Sequence, residues 1–81
     1  MKIFYDTVFE RQFKKLERSV QKQAIEREVI FRADPFTRSL RTHKLKGFWA
    51  FWVNHRDRVI FDFKDEGIVR FYSIGDHDIY N

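Results

Sequence analysis

The chain has 81 residues, 43% of them hydrophobic and 19% aromatic, with 16 Lys+Arg against 12 Asp+Glu for a net charge of +4. It holds no Cys, which excludes a disulfide framework, a thiolate nucleophile and a cysteine-based zinc site. Few Gly and Pro argue against a disordered tail, no apolar run approaches the roughly 18 residues of a membrane helix, and the charges at Lys2 and Asp6 argue against a signal peptide, so one basic, cytoplasmic domain over residues 1–81 is expected.

Lys2 to Asp6 reads as a short strand, with Ile3 and Tyr5 on one face and Phe4 on the other. Thr7 stands three residues before Glu10, the spacing of a capping box. A first helix follows, with Phe9, Phe13, Leu16 and Val20 at helical spacing. Ser19 is the expected cap of a second helix whose apolar positions are Val20, Ala24, Ile25, Val29, Ile30 and Phe31. That helix must stop near Asp34, because Pro35 disfavours helical geometry in the residue before it.

Residues 35–47 show no clear period and read as a basic loop holding one helical turn. Three strands are expected next: Phe48 to Asn54, Arg58 to Phe63, and Ile68 to Ile74, the last two joined through Asp65-Glu66-Gly67. Gly75 is expected to end the third, leaving a polar tail. The order is β-α-α-β-β-β. It predicts an α+β domain, a two-helix hairpin on one face of a twisted, mainly antiparallel four-stranded sheet. The other sheet face stays open, with Phe48, Trp52, Arg58 and Arg70 as its candidates.

The charge is uneven. Residues 1–34 carry eight cations and six acids, whereas residues 35–56 hold five cations (Arg38, Arg41, Lys44, Lys46 and Arg56), two histidines and no acid. Such a stretch attracts anions, and nucleic acid is the commonest large anion in a cytoplasm. No P-loop, Gly-rich dinucleotide turn, nucleophile elbow or zinc-protease motif is present, and the spacing of His43, His55 and His77 matches no metal site. Acid–base chemistry fits better. RNA cleavage needs a base for the 2′-hydroxyl, cations for the phosphorane charge and an acid for the leaving 5′-oxygen, and imidazole titrates in the useful range. His43 and His77 are the natural pair for the proton transfers, Arg58 for phosphate, and Tyr80 for stacking or holding a phosphate. No metal or cofactor is expected.

Three segments taken together, "THKLKG" before an aromatic-rich strand, "RDRVIF" on the next strand and the ending "VRFYSIGDHDIY", resemble the RelE/ParE superfamily of bacterial toxin–antitoxin toxins. His43 and His77 match catalytic histidines of the YafQ branch, and Asp57 falls near that branch's catalytic aspartate. Arg58 matches the arginine that RelE and YoeB keep at this strand, and Tyr80 resembles the C-terminal catalytic tyrosine of RelE. Trp49 and Phe51 stand where RelE has two lysines.

The resemblance implies a metal-independent endoribonuclease, an mRNA interferase that cleaves ribosome-bound mRNA by 2′-hydroxyl attack and inhibits translation. His43, His77, Arg58, Tyr80 and Asp57 would be catalytic, with Arg41, Lys44, Lys46, Arg56 and Arg70 on the RNA. The implied partners are mRNA, the 70S ribosome and a cognate antitoxin with an acidic toxin-binding segment, in a toxin–antitoxin heterotetramer. Two other readings stay open: a ParE-like inhibitor that binds DNA gyrase without cutting RNA, and a non-catalytic basic nucleic-acid-binding module.

Overall fold

The computed structural model describes residues 1–76. In chain order the elements are β1 (Lys2–Tyr5), α1 (Thr7–Lys15), α2 (Arg18–Ala33), a 3₁₀ turn (Arg38–Leu40), β2 (His43–Lys44), β3 (Trp49–Trp52), β4 (Asp57–Asp65) and β5 (Ile68–Asp76). The two helices cover one face of a sheet whose strand order is β1-β5-β4-β3-β2. β1 runs parallel to β5, and every other neighbouring pair is antiparallel. The expected α+β architecture is present, with five strands instead of four.

The helix ends differ from the expected caps. Asp6, not Thr7, caps α1, its carboxylate accepting from the Val8 backbone N–H at 3.0 Å. Glu17 rather than Ser19 precedes α2 and gives no side-chain cap. Gln21 ties the short connection, donating from Nε2 to the Phe13 carbonyl at 2.8 Å. α2 ends at Ala33 with Asp34 extended, as Pro35 requires, and the Asp34 carboxylate accepts from the Phe36 backbone N–H.

Val20, Ala24 and Phe31 of α2 face the sheet, whereas Ile25 and Val29, expected in the same stripe, are exposed. Phe31 is fully buried, with its ring 5.0 Å from Phe51, 4.9 Å from Phe61 and 5.4 Å from Phe71. One side chain thus joins α2 to three strands. Each aromatic pair adds about 0.5–1.5 kcal/mol beyond area burial. Ile3, Phe9, Leu40, Val53, Val59, Val69 and Ile74 complete this core.

The fifth strand lies in the segment read as loop. Leu45 and Phe48 exchange backbone hydrogen bonds around Lys46-Gly47, closing a tight hairpin that pairs His43 with Ala50 and Lys44 with Trp49. Gly47 sits at φ +83°, a conformation glycine adopts without steric cost. A strand of two residues shows no period of its own, so the segment read as loop. At the other end β5 runs through Gly75 to Asp76, two residues beyond the expected stop.

β5 also carries a bulge. Ile60 pairs with Ser73 but Phe61 pairs with Phe71, so Tyr72 is an extra residue against β4. The bulge shifts the alternation by one, which brings both Phe71 and Ile74 into the core and leaves Ser73 and Gly75 on the open face. Gln12 of α1 accepts from the Ile74 backbone N–H at 2.9 Å and so fastens the helix to this irregular point.

Candidate functional site

Pairing register puts His43, Ala50, Ile60 and Ser73 in one row across the open face, and Trp52, Arg58 and Gly75 in the row two residues along. Ala50 and Ile60 are buried but lie outside the helix-side core cluster, so they form the floor between the polar groups. Strand spacing and rise place the Cα atoms of His43 and Arg58 roughly 12 Å apart, close enough for two long side chains to converge on one phosphate.

Arg58 is fixed before any ligand arrives. Its Nη1 donates to the carbonyl of Asn54 at 2.7 Å and to that of Asp57 at 3.1 Å. Its guanidinium carbon lies 3.9 Å from the centre of the Trp52 ring. Among the described residues Nε and Nη2 take no hydrogen bond, so the fork keeps donors for a phosphate. Arg41 also packs on Trp52, at 4.5 Å.

Arg41 is the only described non-glycine residue with positive φ, at 51°. An L residue in that region costs about 1–2 kcal/mol. The conformation follows the 3₁₀ turn, whose last bond runs from the Arg41 N–H to the Arg38 carbonyl. It also presents the Arg41 carbonyl to His43 Nδ1 at 2.8 Å. A carbonyl only accepts, so in the neutral ring Nδ1 holds the proton and Nε2 carries the lone pair. His43 is exposed.

The remaining expected site residues are spread out. Asp57 faces the helix side of the sheet, 4% exposed, opposite in direction to Arg58. Its carboxylate accepts from Asn54 Nδ2 at 2.9 Å, and its backbone N–H donates to Asn54 Oδ1 at 2.7 Å. Gln23 of α2 accepts from the same Asn54 amide. Asp57 therefore closes the β3–β4 turn and is not brought to His43. Lys44 alternates away from His43 and lies over the Trp49 ring at 5.3 Å, beside Phe36 and Phe63.

Lys46 stands at the tip of the β2–β3 hairpin, and Arg56 at the β3–β4 turn with its Nε 3.9 Å from Asp57. Arg70 pairs with Asp62 and Phe4 at the far end of the open face. His77 and Tyr80 lie outside the described residues. The last described residue, Asp76, pairs with Asp57, one step beyond the Arg58–Gly75 pair. The open-face expectation for Trp52, Arg58 and Arg70 agrees with the register, while Phe48 precedes β3 and is exposed, edge-on to Tyr72.

Sequence reasoning missed Arg27. It falls among Val20, Ala24 and Phe31 on the buried stripe of α2, and a cation on such a stripe was the available signal.

The backbone fold recurs in solved structures. The YoeB/ParE toxin from Agrobacterium tumefaciens is 13% identical with a TM-score of 0.80, over 95% of this chain and 99% of that one. The fold is that of the RelE/ParE toxins. The YoeB–YefM complex from Staphylococcus aureus (16% identical, TM-score 0.76) matches over 95% of this chain and 97% of that one. The E. coli RelBE toxin–antitoxin complex (20%, 0.72) matches over 93% and 94%. No protein-family model and no curated protein matches the chain. At such identities the likeness shows a shared backbone fold.

Proposed function

We propose that this protein is the toxin of a toxin–antitoxin pair, a metal-independent endoribonuclease that cuts mRNA on the ribosome. The observation that carries the reading is the shared open face of His43 and Arg58. One presents a bare Nε2, and the other a guanidinium anchored by two carbonyls and Trp52. In the proposed reaction His43 Nε2 takes the 2′-hydroxyl proton. The 2′-oxygen attacks phosphorus while Arg58 holds the non-bridging oxygens. The 5′-oxygen leaves with a proton from His77. The products are a 2′,3′-cyclic phosphate and a 5′-hydroxyl.

Arg41 and Tyr80 would steady the strand. An antitoxin with an acidic segment would silence the basic face by charge complementarity. Induced expression in bacteria, with mapping of mRNA 5′ ends, tests the reading. Cuts within translated frames that vanish in His43→Ala and Arg58→Ala support it. Intact mRNA with arrested replication would replace it with gyrase inhibition.

A further inference from the structure

Arg27 stands where α2 otherwise turns apolar residues to the sheet. Its guanidinium passes the edge of the core and donates to the carbonyls of Val53 at 3.3 Å and Ser39 at 3.4 Å. Carbonyl oxygens hold the group in place without neutralising it. Arg27 lines an open cleft together with Arg38, Arg41, Trp52, Asn54 and His55, and no Asp or Glu lines that cleft. The ion pairs among the described residues, Arg32–Glu28 and Arg56–Asp57, lie outside its lining. The Asp57 carboxylate is turned into the Asn54 network. Three guanidinium groups without a carboxylate among them raise the local potential and concentrate anions.

The cleft is continuous with the candidate active face through Trp52. That indole lines the cleft and also carries the Arg58 guanidinium and the edge-on His55 ring, 5.8 Å between centroids. A strand lying against Arg58 would therefore meet the cleft on the other side of one side chain. We infer that the cleft is a second phosphate subsite, holding a neighbouring backbone phosphate of the RNA strand on Arg38 and Arg27. The choice of RNA as its ligand rests on the proposed nuclease reading. Trp52 is already covered by Arg41 and Arg58, so the exposed His55 ring beside the cations is what favours a nucleotide over an acidic peptide, because bases stack where carboxylates do not.

The test uses 2′-O-methyl RNA, which binds but lacks the attacking hydroxyl, with fluorescence anisotropy from 50 to 300 mM salt. Arg38 is exposed, so Arg38→Gln leaves the core intact. On an octanucleotide, Arg38→Gln is expected to weaken binding about fivefold at 0.1 M salt and to lower the salt slope by about 0.7, one single-strand phosphate contact. Arg38→Lys should keep the slope, and a dinucleotide should bind wild type and Arg38→Gln alike. Equal octanucleotide affinity and slope in wild type and Arg38→Gln would overturn the subsite. So would a loss confined to an oligoglutamate peptide. A protein that cuts no RNA yet shows the slope change would retire the nuclease reading and keep the phosphate subsite.

Discussion

Arg58→Lys keeps the charge at the centre of the open face and removes the planar fork. In the wild type, Nη1 is spent on the carbonyls of Asn54 and Asp57, and the stacked plane aims the remaining donors outward. A lysine ammonium satisfies at most one carbonyl in that geometry, and it cannot offer a phosphate two parallel bonds. One lost charge-assisted hydrogen bond is worth about 1.5–3 kcal/mol, or roughly 10- to 150-fold in the cleavage step. The folded state loses about 1–2 kcal/mol from the stack and one carbonyl bond, which lowers Tm by roughly 4–16 °C in a domain of this size. Single-turnover cleavage, run well below the lower Tm, separates the two effects. Trp52→Leu should reproduce part of the loss. The double variant should lose less than the sum of the singles, since the ring acts by holding the guanidinium. Arg58→Lys cleaving within twofold of wild type, with an unchanged Tm, would refute the anchoring argument.

Three further outcomes follow from the same contacts. Gly47→Ala and Gly67→Ala both place a Cβ at positive φ with no steric neighbour, so each should cost about 1 kcal/mol of stability by chemical denaturation. Only Gly47→Ala, which loosens the hairpin carrying His43, should also slow cleavage; an equal effect from both would sever the hairpin from function. Asp57→Ala should cost about 1–3 kcal/mol of stability by stripping the Asn54 amide of an acceptor. Its cleavage rate should stay within a few-fold of wild type, whereas a loss of a hundredfold or more in folded protein would return Asp57 to the chemistry. Tyr5 donates to Glu28 at 2.6 Å, and burial, then that bond, raise its phenol above the usual 10.0. The stabilisation is therefore present below pH 10 and fades as pH rises through the folded-state value. It is about 1 kcal/mol or less at this partly exposed site. Urea melts from pH 8 to 11 should show wild type losing more than Tyr5→Phe, and parallel curves would contradict the assignment.

The sequence made the order of the main elements, the stop of α2 before Pro35 and the placing of Trp52 and Arg58 on the open face legible, because alternation and helix stops are local signals. Three features were not local. β2 is two residues long and exists only through its pairing with β3. The Tyr72 bulge changes which residues of β5 face inward, and no turn residue marks it. In α2, Ile25 and Val29 look like core, but the sheet meets the stripe of Val20, Ala24 and Phe31 instead. The site divides in the same way. His43 and Arg58 were legible by residue type, but their shared face depends on the β2 hairpin. Asp57 and Lys44 looked equivalent to them along the chain, and strand alternation turns both away.

The central claim is that this open face performs 2′-hydroxyl attack on RNA, and the chemistry of the cut ends tests it most directly. Purified protein with RNA or programmed ribosomes, in excess chelator, should yield upstream fragments ending in 2′,3′-cyclic phosphate and downstream fragments with 5′-hydroxyls. Both should disappear in His43→Ala. Uncut RNA under both conditions, or fragments carrying 5′-phosphates, would contradict the account.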